Sequence, residues 1–316
     1  MSRPLLEVRD LTVRYGSVHG ADRGGAPAVD RVSFDLAVGE TLGLVGESGC
    51  GKSSLARALV GLAPIAAGTI RFDGVDVRAA RGAARRALRR SIQLVFQDPL
   101  GSLDPRHRVG AIVAEGIEIH RLAHGAAARE RVARLLLRVG LPAECADRWP
   151  HELSGGQRQR VGIARALAVE PRLLLCDEAV AALDASVRGG ILDLLLDLRE
   201  RDRLTDLFLA HDLAEVAAMS GRLAVMQLGE LVEVGPAREL LAAPRHPLTR
   251  ALVASAALAR GERPLTPPLS GEPPSPSAPP SGCRFHPRCP VARPECGRLA
   301  PPERETADGW RWRCVE

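Results

Sequence analysis

Short runs of apolar residues recur along the chain, and four of them stop at residues that can take part in chemistry. The runs are 42–45 before a glycine-rich loop, 92–96 before Gln97, 173–176 before Asp177 and Glu178, and 207–210 before His211. Runs of this length without alternation are typical of strands buried on both faces of a parallel sheet. Because ligands of open α/β sheets bind beyond the carboxyl ends of the strands, we expect these polar residues to converge at one edge.

A helical pattern lies between the second and third runs. Residues 126–141 repeat apolar positions at helical spacing and stop near Gly140 and Pro142, where a helix is expected to end. We therefore predict a helical insertion between Gln97 and the glycine pair Gly155 and Gly156. The fold class that follows is α/β, with a parallel-sheet core.

Composition divides the chain into three parts. Residues 261–282 hold eight prolines and no large apolar cluster, so they predict an extended, semi-rigid linker. Four of the seven cysteines follow that segment. We predict a globular domain over 1–250 with a helical subdomain at about 98–160, a proline-rich linker over 251–282, and a cysteine-rich module over 283–316.

Charge and hydropathy narrow the class of protein. The formal net charge of the 316 residues is +5, but acids and bases are interspersed, which argues against a nucleic-acid-binding face. The exception is an acid-free arginine cluster within 77–97, which is either a solvated helix face or a contact surface for lipid headgroups or a partner. No apolar run approaches the roughly 18 residues needed to span a bilayer. Since a signal-peptide pattern is also missing, we expect a cytosolic protein whose membrane role is peripheral.

A loop after the first apolar run carries a specific motif, G-x-x-x-x-G-K-[ST]. Its residues are Gly46, Glu47, Ser48, Gly49, Cys50, Gly51, Lys52 and Ser53. Backbone N–H groups of such a loop surround phosphate, the lysine reaches the β- and γ-phosphates, and the hydroxyl ligates Mg²⁺. Lysine and arginine together number 43, yet Lys52 is the only lysine. Because a bulky guanidinium cannot replace a compact ammonium in a closed loop, this position supports a phosphate-binding role.

An acidic pair follows the third apolar run. Asp177 fits the Mg²⁺-binding carboxylate of phosphate-loop enzymes, and Glu178 is placed to polarise an attacking water. An acidic pair also occurs where a strand simply ends at solvent. The assignment of these two residues therefore depends on the presence of the phosphate loop at 46–53.

The segment 153–157 reads LSGGQ and precedes a helical pattern, and here the sequence resembles the ATP-binding-cassette (ABC) family. Other family motifs occur in the family's order: the phosphate loop, Gln97 of the Q-loop, LLLCDE at 173–178, the D-loop Ala182-Leu183-Asp184, and the switch histidine His211. The single tyrosine, Tyr15, falls at the family's adenine-stacking aromatic. The resemblance covers most of the chain and implies a P-loop ABC nucleotide-binding domain with an antiparallel N-terminal β region.

The resemblance implies a composite site for ATP and Mg²⁺ between two subunits. Its expected nucleotide contacts are Tyr15, the loop 46–53, Ser54, Gln97, Gln157 and Asp184. Ser154, Gly155 and Gly156 are expected to contact the γ-phosphate from the second subunit. The expected Mg²⁺ ligands are Ser53, Gln97 and Asp177. The expected catalytic residues are Glu178, His211, Lys52 and Gln97. A chain with one copy of each motif must therefore pair with a paralogous ATPase subunit or with itself.

A narrower resemblance concerns transport. The segments 46–54, 95–106, 234–252 and 282–296 look like those of the oligopeptide/dipeptide importer branch, and 29–62 is closest to its second ATPase subunit. The branch implies ATP hydrolysis coupled to uptake of peptides or of nickel, opines or glutathione. It also implies two transmembrane permease subunits, an extracytoplasmic solute-binding protein acting indirectly, no nucleic acid, and a peripheral place on the cytoplasmic face of the inner membrane.

An alternative is a soluble ABC ATPase that acts on nucleic acid or the ribosome. Families of that kind carry two cassettes in one chain or long coiled-coil insertions, and this sequence has neither. It does depart from the usual family pattern after the acidic pair, where Ala179, Val180 and Ala181 replace the usual proline, hydroxyl residue and serine. We expect an active site with altered communication across the dimer.

The last four cysteines, Cys283, Cys289, Cys296 and Cys314, are a candidate metal site. Disulfides are not expected in a reducing cytosol, and the spacing lacks the C-x₂-C pair typical of zinc sites. Four thiolates suit either a [4Fe–4S] cluster or Zn²⁺, and a 34-residue segment is too small for a large core of its own. Free thiols on a family tail are the other interpretation.

Overall fold

A computed structural model describes residues 3–16, 25–264, 266–267, 269 and 271–315. The chain divides into two compact units. The first unit contains Met1–Arg78 and Phe208–Glu316, and the second contains Ala79–Leu207. Residues 265, 268 and 270 of the predicted linker lie outside the described residues. The domain boundaries drawn from composition stay predictions.

The described residues of the first unit form one antiparallel group of strands, one mixed group and four α-helices. Its strands are β1 (Leu6–Val13), β2 (Val29–Leu36), β3 (Thr41–Val45), β4 (Ile65–Phe72), β5 (Val75–Asp76), β9 (Arg222–Gln227), β10 (Glu230–Pro236), β11 (Glu303–Glu305) and β12 (Arg311–Arg313). Its helices are α1 (Lys52–Leu59), α7 (Leu213–Met219), α8 (Ala237–Ala242) and α9 (Pro247–Ala259), and a 3-10 turn covers His286–Arg288.

Two sheets organise that first unit. One is antiparallel with the order β2-β1-β4-β5, which agrees with the expected antiparallel N-terminal region. In the other, β3 lies parallel to β9, and β10 pairs antiparallel with both β9 and β12. The cysteine-rich segment thus extends the sheet through β12, with Trp312 opposite Glu233. Every residue of β3 is buried, as its unbroken apolar pattern predicts.

The second unit contains β6 (Ile92–Val95), β7 (Leu173–Asp177) and five helices. The helices are α2 (Gly82–Ser91), α3 (Val109–Ile119), α4 (Gly125–Arg138), α5 (Gly155–Leu167) and α6 (Ala185–Asp202). Strands β6 and β7 are parallel, and α3 packs on both α4 and α5. The strand β8 (Thr205–Ala210) continues the chain from this unit into the first.

The elements predicted from periodicity are present. The four apolar runs are β3, β6, β7 and β8, and the helical pattern at 126–141 is α4. The apolar face of α4 buries Val132, Leu135 and Leu136, the i, i+3 and i+4 spacing of an amphipathic helix. Within the described residues, no helix is both long enough and apolar enough to cross a membrane.

Candidate nucleotide site

The phosphate loop connects β3 to α1, and its glycines are sterically required. A Cβ on Gly46 would lie 2.3 Å from the backbone oxygen of Met226. Gly51 has φ of +113°, and its Cβ would lie 2.2 Å from the backbone oxygen of Ala28. Only glycine tolerates such a conformation and such close approach. The sequence therefore folds into a tight loop, and the exposed residues at its tip are Ser48 and Gly49.

Lys52 begins α1 and turns back over the loop. Its Nζ donates to the backbone oxygens of Gly46 at 2.7 Å and Glu47 at 3.2 Å, and the side chain is only 4% exposed. No acidic residue occupies the first turn of α1, so the partial positive charge of the helix N-terminus is not offset there. An ammonium and a helix N-terminus at one loop form a favourable environment for anions.

Two other predicted residues of the first unit lie at exposed positions. The Tyr15 hydroxyl donates to Ser54 Oγ at 3.3 Å, next to Ser53 on α1, and its ring is 48% exposed. An aromatic face open to solvent beside a phosphate loop can stack on a base. His211 is also exposed and directly follows β8; Asp212 after it caps α7 by accepting from the N–H groups of Ala214 and Glu215.

In the second unit, Gln97 and Glu178 meet after two parallel strands. Gln97 Nε2 donates to Glu178 Oε2 at 2.7 Å. Asp177 is the last residue of β7 and is 3% exposed. The expected convergence of polar residues beyond the strands is therefore realised for β6 and β7. The bond between the amide and the carboxylate is a contact that sequence spacing does not reveal.

Glu178 has φ of +47°, a left-handed conformation that is uncommon for a residue other than glycine. Ala179 and Val180, the two departures that follow, are 2% and 1% exposed. The two apolar side chains that replace the family's usual proline and hydroxyl residue are therefore buried in the protein. Asp184 is the exposed N-cap residue of α6, without a capping bond from its side chain.

The LSGGQ segment forms the start of α5. Ser154 Oγ accepts from the Gln157 N–H at 3.3 Å, and Gln157 Oε1 accepts from the Ser154 N–H at 3.0 Å, a reciprocal capping box. A Cβ on Gly156 would lie 2.4 Å from Val187 Cγ1 of α6, so α5 and α6 need glycine to pack there. Ser154 and Gly155 remain exposed. The first turn has no acidic residue.

Cys283, Cys289, Cys296 and Cys314 line one cavity in the first unit, together with apolar side chains that include Phe285. Burial, which the Phe285 N–H opposes and the other three thiols reinforce, raises the pKa of the Cys283 thiol to about 11. All seven cysteines are described, and none forms a disulfide. Within the described residues, no three His, Cys, Asp or Glu side chains converge tightly enough to hold a metal ion.

Two arginines beside these cysteines were not predicted from the sequence. Arg288 Nη1 contacts Glu47 Oε2 of the phosphate loop at 2.6 Å. Arg284 contacts the carboxylates of Asp30 and Glu230. Nothing in the sequence connects residue 288 with residue 47, because the two are far apart along the chain.

The sequence matches two family descriptions. Residues 29–181 match "ABC transporter", and residues 232–296 match "Oligopeptide/dipeptide transporter, C-terminal region". Among similar solved structures, the dimeric ATP-binding cassette MJ0796 in a post-hydrolysis state with ADP and Pi is 28% identical, with a TM-score of 0.66. The matched region covers 74% of this chain and 99% of the MJ0796 chain. The CbiO1 protein of Clostridium perfringens is 29% identical, with a TM-score of 0.65, 77% of this chain and 92% of the other covered.

Relatives in sequence extend over nearly the whole chain. A probable peptide ABC transporter ATP-binding protein, y4tS of Sinorhizobium fredii, is 47% identical over 98% of this chain and 89% of its own length. The oligopeptide transport ATP-binding protein AppF of Bacillus subtilis is 44% identical over 96% and 94%. With this coverage, and with a phosphate loop and an LSGGQ helix folded as described, the chain belongs to the ABC transporter family and is similar to ATP-binding proteins of peptide transporters.

Proposed function

We propose that this chain is the ATP-hydrolysing subunit of an importer of oligopeptides or dipeptides, bound at the cytoplasmic face of the membrane. The observation that carries the proposal is the phosphate loop, in which buried Lys52 and the acid-free start of α1 face one tight turn. The match of residues 232–296 to the oligopeptide/dipeptide transporter C-terminal region supports peptides over nickel, opines or glutathione as the solute.

Nucleotide binding is assigned to the loop and its neighbours. Backbone N–H groups of residues 46–53 and the Ser54 hydroxyl surround the phosphates, and Lys52 supplies positive charge. The exposed ring of Tyr15 stacks on adenine. Mg²⁺ is assigned to the Ser53 hydroxyl, the Asp177 carboxylate and the Gln97 amide oxygen, since it prefers hard oxygen ligands. Mg²⁺ would neutralise part of the phosphate charge.

Hydrolysis is assigned to Glu178, with Gln97 and His211 assisting. Glu178 accepts a hydrogen bond from Gln97, so its carboxylate has a fixed direction from which to polarise water. Gln97 therefore has two roles, through Nε2 to Glu178 and through Oε1 to the metal. His211 can donate to a γ-phosphate oxygen.

The start of α5 is assigned to a second subunit's nucleotide. Ser154 and Gly155 are exposed at the start of α5, where the first N–H groups of a helix have no acceptor within the helix and can bind phosphate. With Gly156, Gln157 and Asp184 they complete the site of a partner ATPase, either a paralogue or a second copy. Two permease subunits would couple its closure to transport, with a solute-binding protein outside the membrane.

The cysteine cavity is proposed to hold a [4Fe–4S] cluster. Four thiols surround one cavity, and the Arg293 N–H donates to Cys296 Sγ at 3.4 Å, the kind of hydrogen bond that tunes cluster thiolates. Four thiolates also suit Zn²⁺, which is the alternative occupant. A cluster bound to all four cysteines would hold the C-terminal module together, since this short segment cannot form a large core of its own.

The proposal is tested by transport in cells. Deleting the gene should abolish uptake of a labelled di- or oligopeptide, while uptake of the free amino acid continues. The wild-type gene should restore uptake and a Lys52→Ala version should not. Unchanged peptide uptake in the deletion strain, with no close paralogue expressed, would overturn the proposal.

A further inference from the structure

An ion pair joins the cysteine-rich module to the phosphate loop. Arg288 Nη1 lies 2.6 Å from Glu47 Oε2. The side chains of Arg288 and Glu47 are 7% and 17% exposed, so solvent screens the pair much less than a surface salt bridge. Arg288 directly precedes Cys289, which lines the cysteine cavity. The loop is therefore held by a residue of the C-terminal module.

Glu47 is the only acidic residue of the loop, and it makes several contacts within the loop. Its backbone oxygen accepts from Lys52 Nζ at 3.2 Å and from the Cys50 N–H at 3.2 Å. Whatever fixes Glu47 thus also fixes the oxygen that orients the lysine. An uncompensated carboxylate at this position would repel a polyphosphate, since like charges a few ångströms apart in a partly buried site interact strongly.

A second arginine of the same module, Arg284, makes its own set of contacts. Arg284 pairs with Asp30 and with Glu230, the latter at 3.3 Å, and donates to the backbone oxygen of Leu228. The next residue, Gly229, donates its N–H to the Cys50 oxygen at 2.7 Å. Two independent connections therefore run from the cysteine-rich module to the loop, one through Glu47 and one through Cys50.

We propose that Arg288 is a positioning residue of the nucleotide site, which neutralises Glu47 and fixes the loop in the form that accepts ATP. The inference rests on the proposed ATP site and extends it to the C-terminal module. ATP affinity then depends on correct seating of this module, because the guanidinium that compensates the loop's acid comes from it. Arg288 acts on affinity through Glu47 and does not touch the reacting atoms.

The test is a double-mutant cycle on ATP binding and on hydrolysis by the full-length protein. Arg288→Ala leaves Glu47 charged and unpaired, so the Kd and KM for ATP should rise roughly tenfold, within the usual range of coupling between sites, while kcat is unchanged. Glu47→Gln, the second single variant of the cycle, removes the carboxylate and keeps the backbone oxygen that Lys52 contacts. The double variant Glu47→Gln/Arg288→Ala should recover most of the lost affinity, and Arg288→Lys should retain part of it.

A control separates this role from a structural one. Arg298 is an exposed arginine of the same module, and Arg298→Ala should leave ATP affinity unchanged. If Arg288→Ala and the double variant bind ATP equally weakly, charge compensation is wrong. If wild type itself fails to bind ATP, and Lys52→Ala makes no difference, the proposed function is wrong instead.

Discussion

The Gln97 amide donates to the Glu178 carboxylate at 2.7 Å, and the two residues follow parallel strands in which Val95 lies opposite Cys176. The register of two buried strands therefore sets the distance between the Q-loop glutamine and the acid proposed to polarise water. A shift of Gln97 would change the direction of the Glu178 carboxylate, and this offers a physical route by which events at the Q-loop reach the chemistry.

Replacing Glu178 by glutamine removes the proposed proton acceptor while preserving size and a hydrogen-bonding side chain. We expect ATP hydrolysis to fall by about a hundredfold or more, as for loss of a general base, and ATP binding to persist. Phosphate release and ATP retention on the purified protein measure the two effects. Glu130→Gln, on the exposed face of α4, is the matched control; near-normal hydrolysis by Glu178→Gln would remove Glu178 from the mechanism.

Local sequence patterns predicted much of this site. They could not predict contacts between residues that are far apart along the chain. The strands β3 and β7 are continuous apolar runs, and the loop between β3 and α1 has glycines at positions that only glycine can occupy. The pair Arg288–Glu47 and the pairing of β10 with β12 join segments far apart in sequence. Such contacts depend on how the folded chain is arranged, and no periodicity or spacing encodes them.

The single lysine makes a sharp test of the loop. Lys52 is buried and bonded to two loop oxygens, and a guanidinium is bulkier than an ammonium with a different donor geometry. Lys52→Arg should therefore lose ATP binding by about tenfold or more despite keeping the charge. Arg57→Lys, the reverse exchange at an exposed position of α1, should bind ATP normally. Equal binding by Lys52→Arg and wild type would contradict the assigned role.

The cysteine cavity gives a spectroscopic prediction. Protein purified without oxygen should show the broad absorption at about 400 nm that is typical of [4Fe–4S] clusters. Replacing Cys283, Cys289, Cys296 and Cys314 by serine should abolish it. Cys145→Ser, at a buried cysteine of the second unit, should keep it. A colourless preparation that contains neither iron nor zinc would contradict any metal at the four cysteines.

The same cavity predicts slow thiol chemistry in metal-free protein. Burial raises the pKa of Cys283 to about 11, and only the thiolate is nucleophilic. Alkylation of Cys283 by iodoacetamide at pH 7.5 should therefore be slower than that of an unfolded peptide of the same sequence. The rate should climb as pH approaches 11. Peptide mapping by mass spectrometry follows Cys283, and a rate equal to that of the peptide at pH 7.5 would refute the shielding.

Stability should depend on pH through His246, a buried histidine at the N-cap of α9. Its Nδ1 accepts from the Leu248 N–H at 3.0 Å, and burial, with Arg250 adding to it, lowers its pKa from 6.5 to about 3. As pH falls below 6.5, the unfolded chain takes up this proton before the folded chain does. Stability is therefore lost between pH 6.5 and 3, at about 1.4 kcal/mol per pH unit.

His246→Asn isolates that contribution, because asparagine caps helices well and does not titrate. The stability of wild type relative to this variant should fall by about 2 kcal/mol between pH 7.5 and 5, measured by urea unfolding at each pH. His124→Asn changes an exposed histidine at the N-cap of α4 and serves as the control. Since other groups titrate equally in wild type and variant, a stability difference that stays constant from pH 7.5 to 5 would mean that His246 has the same pKa in the folded and the unfolded chain.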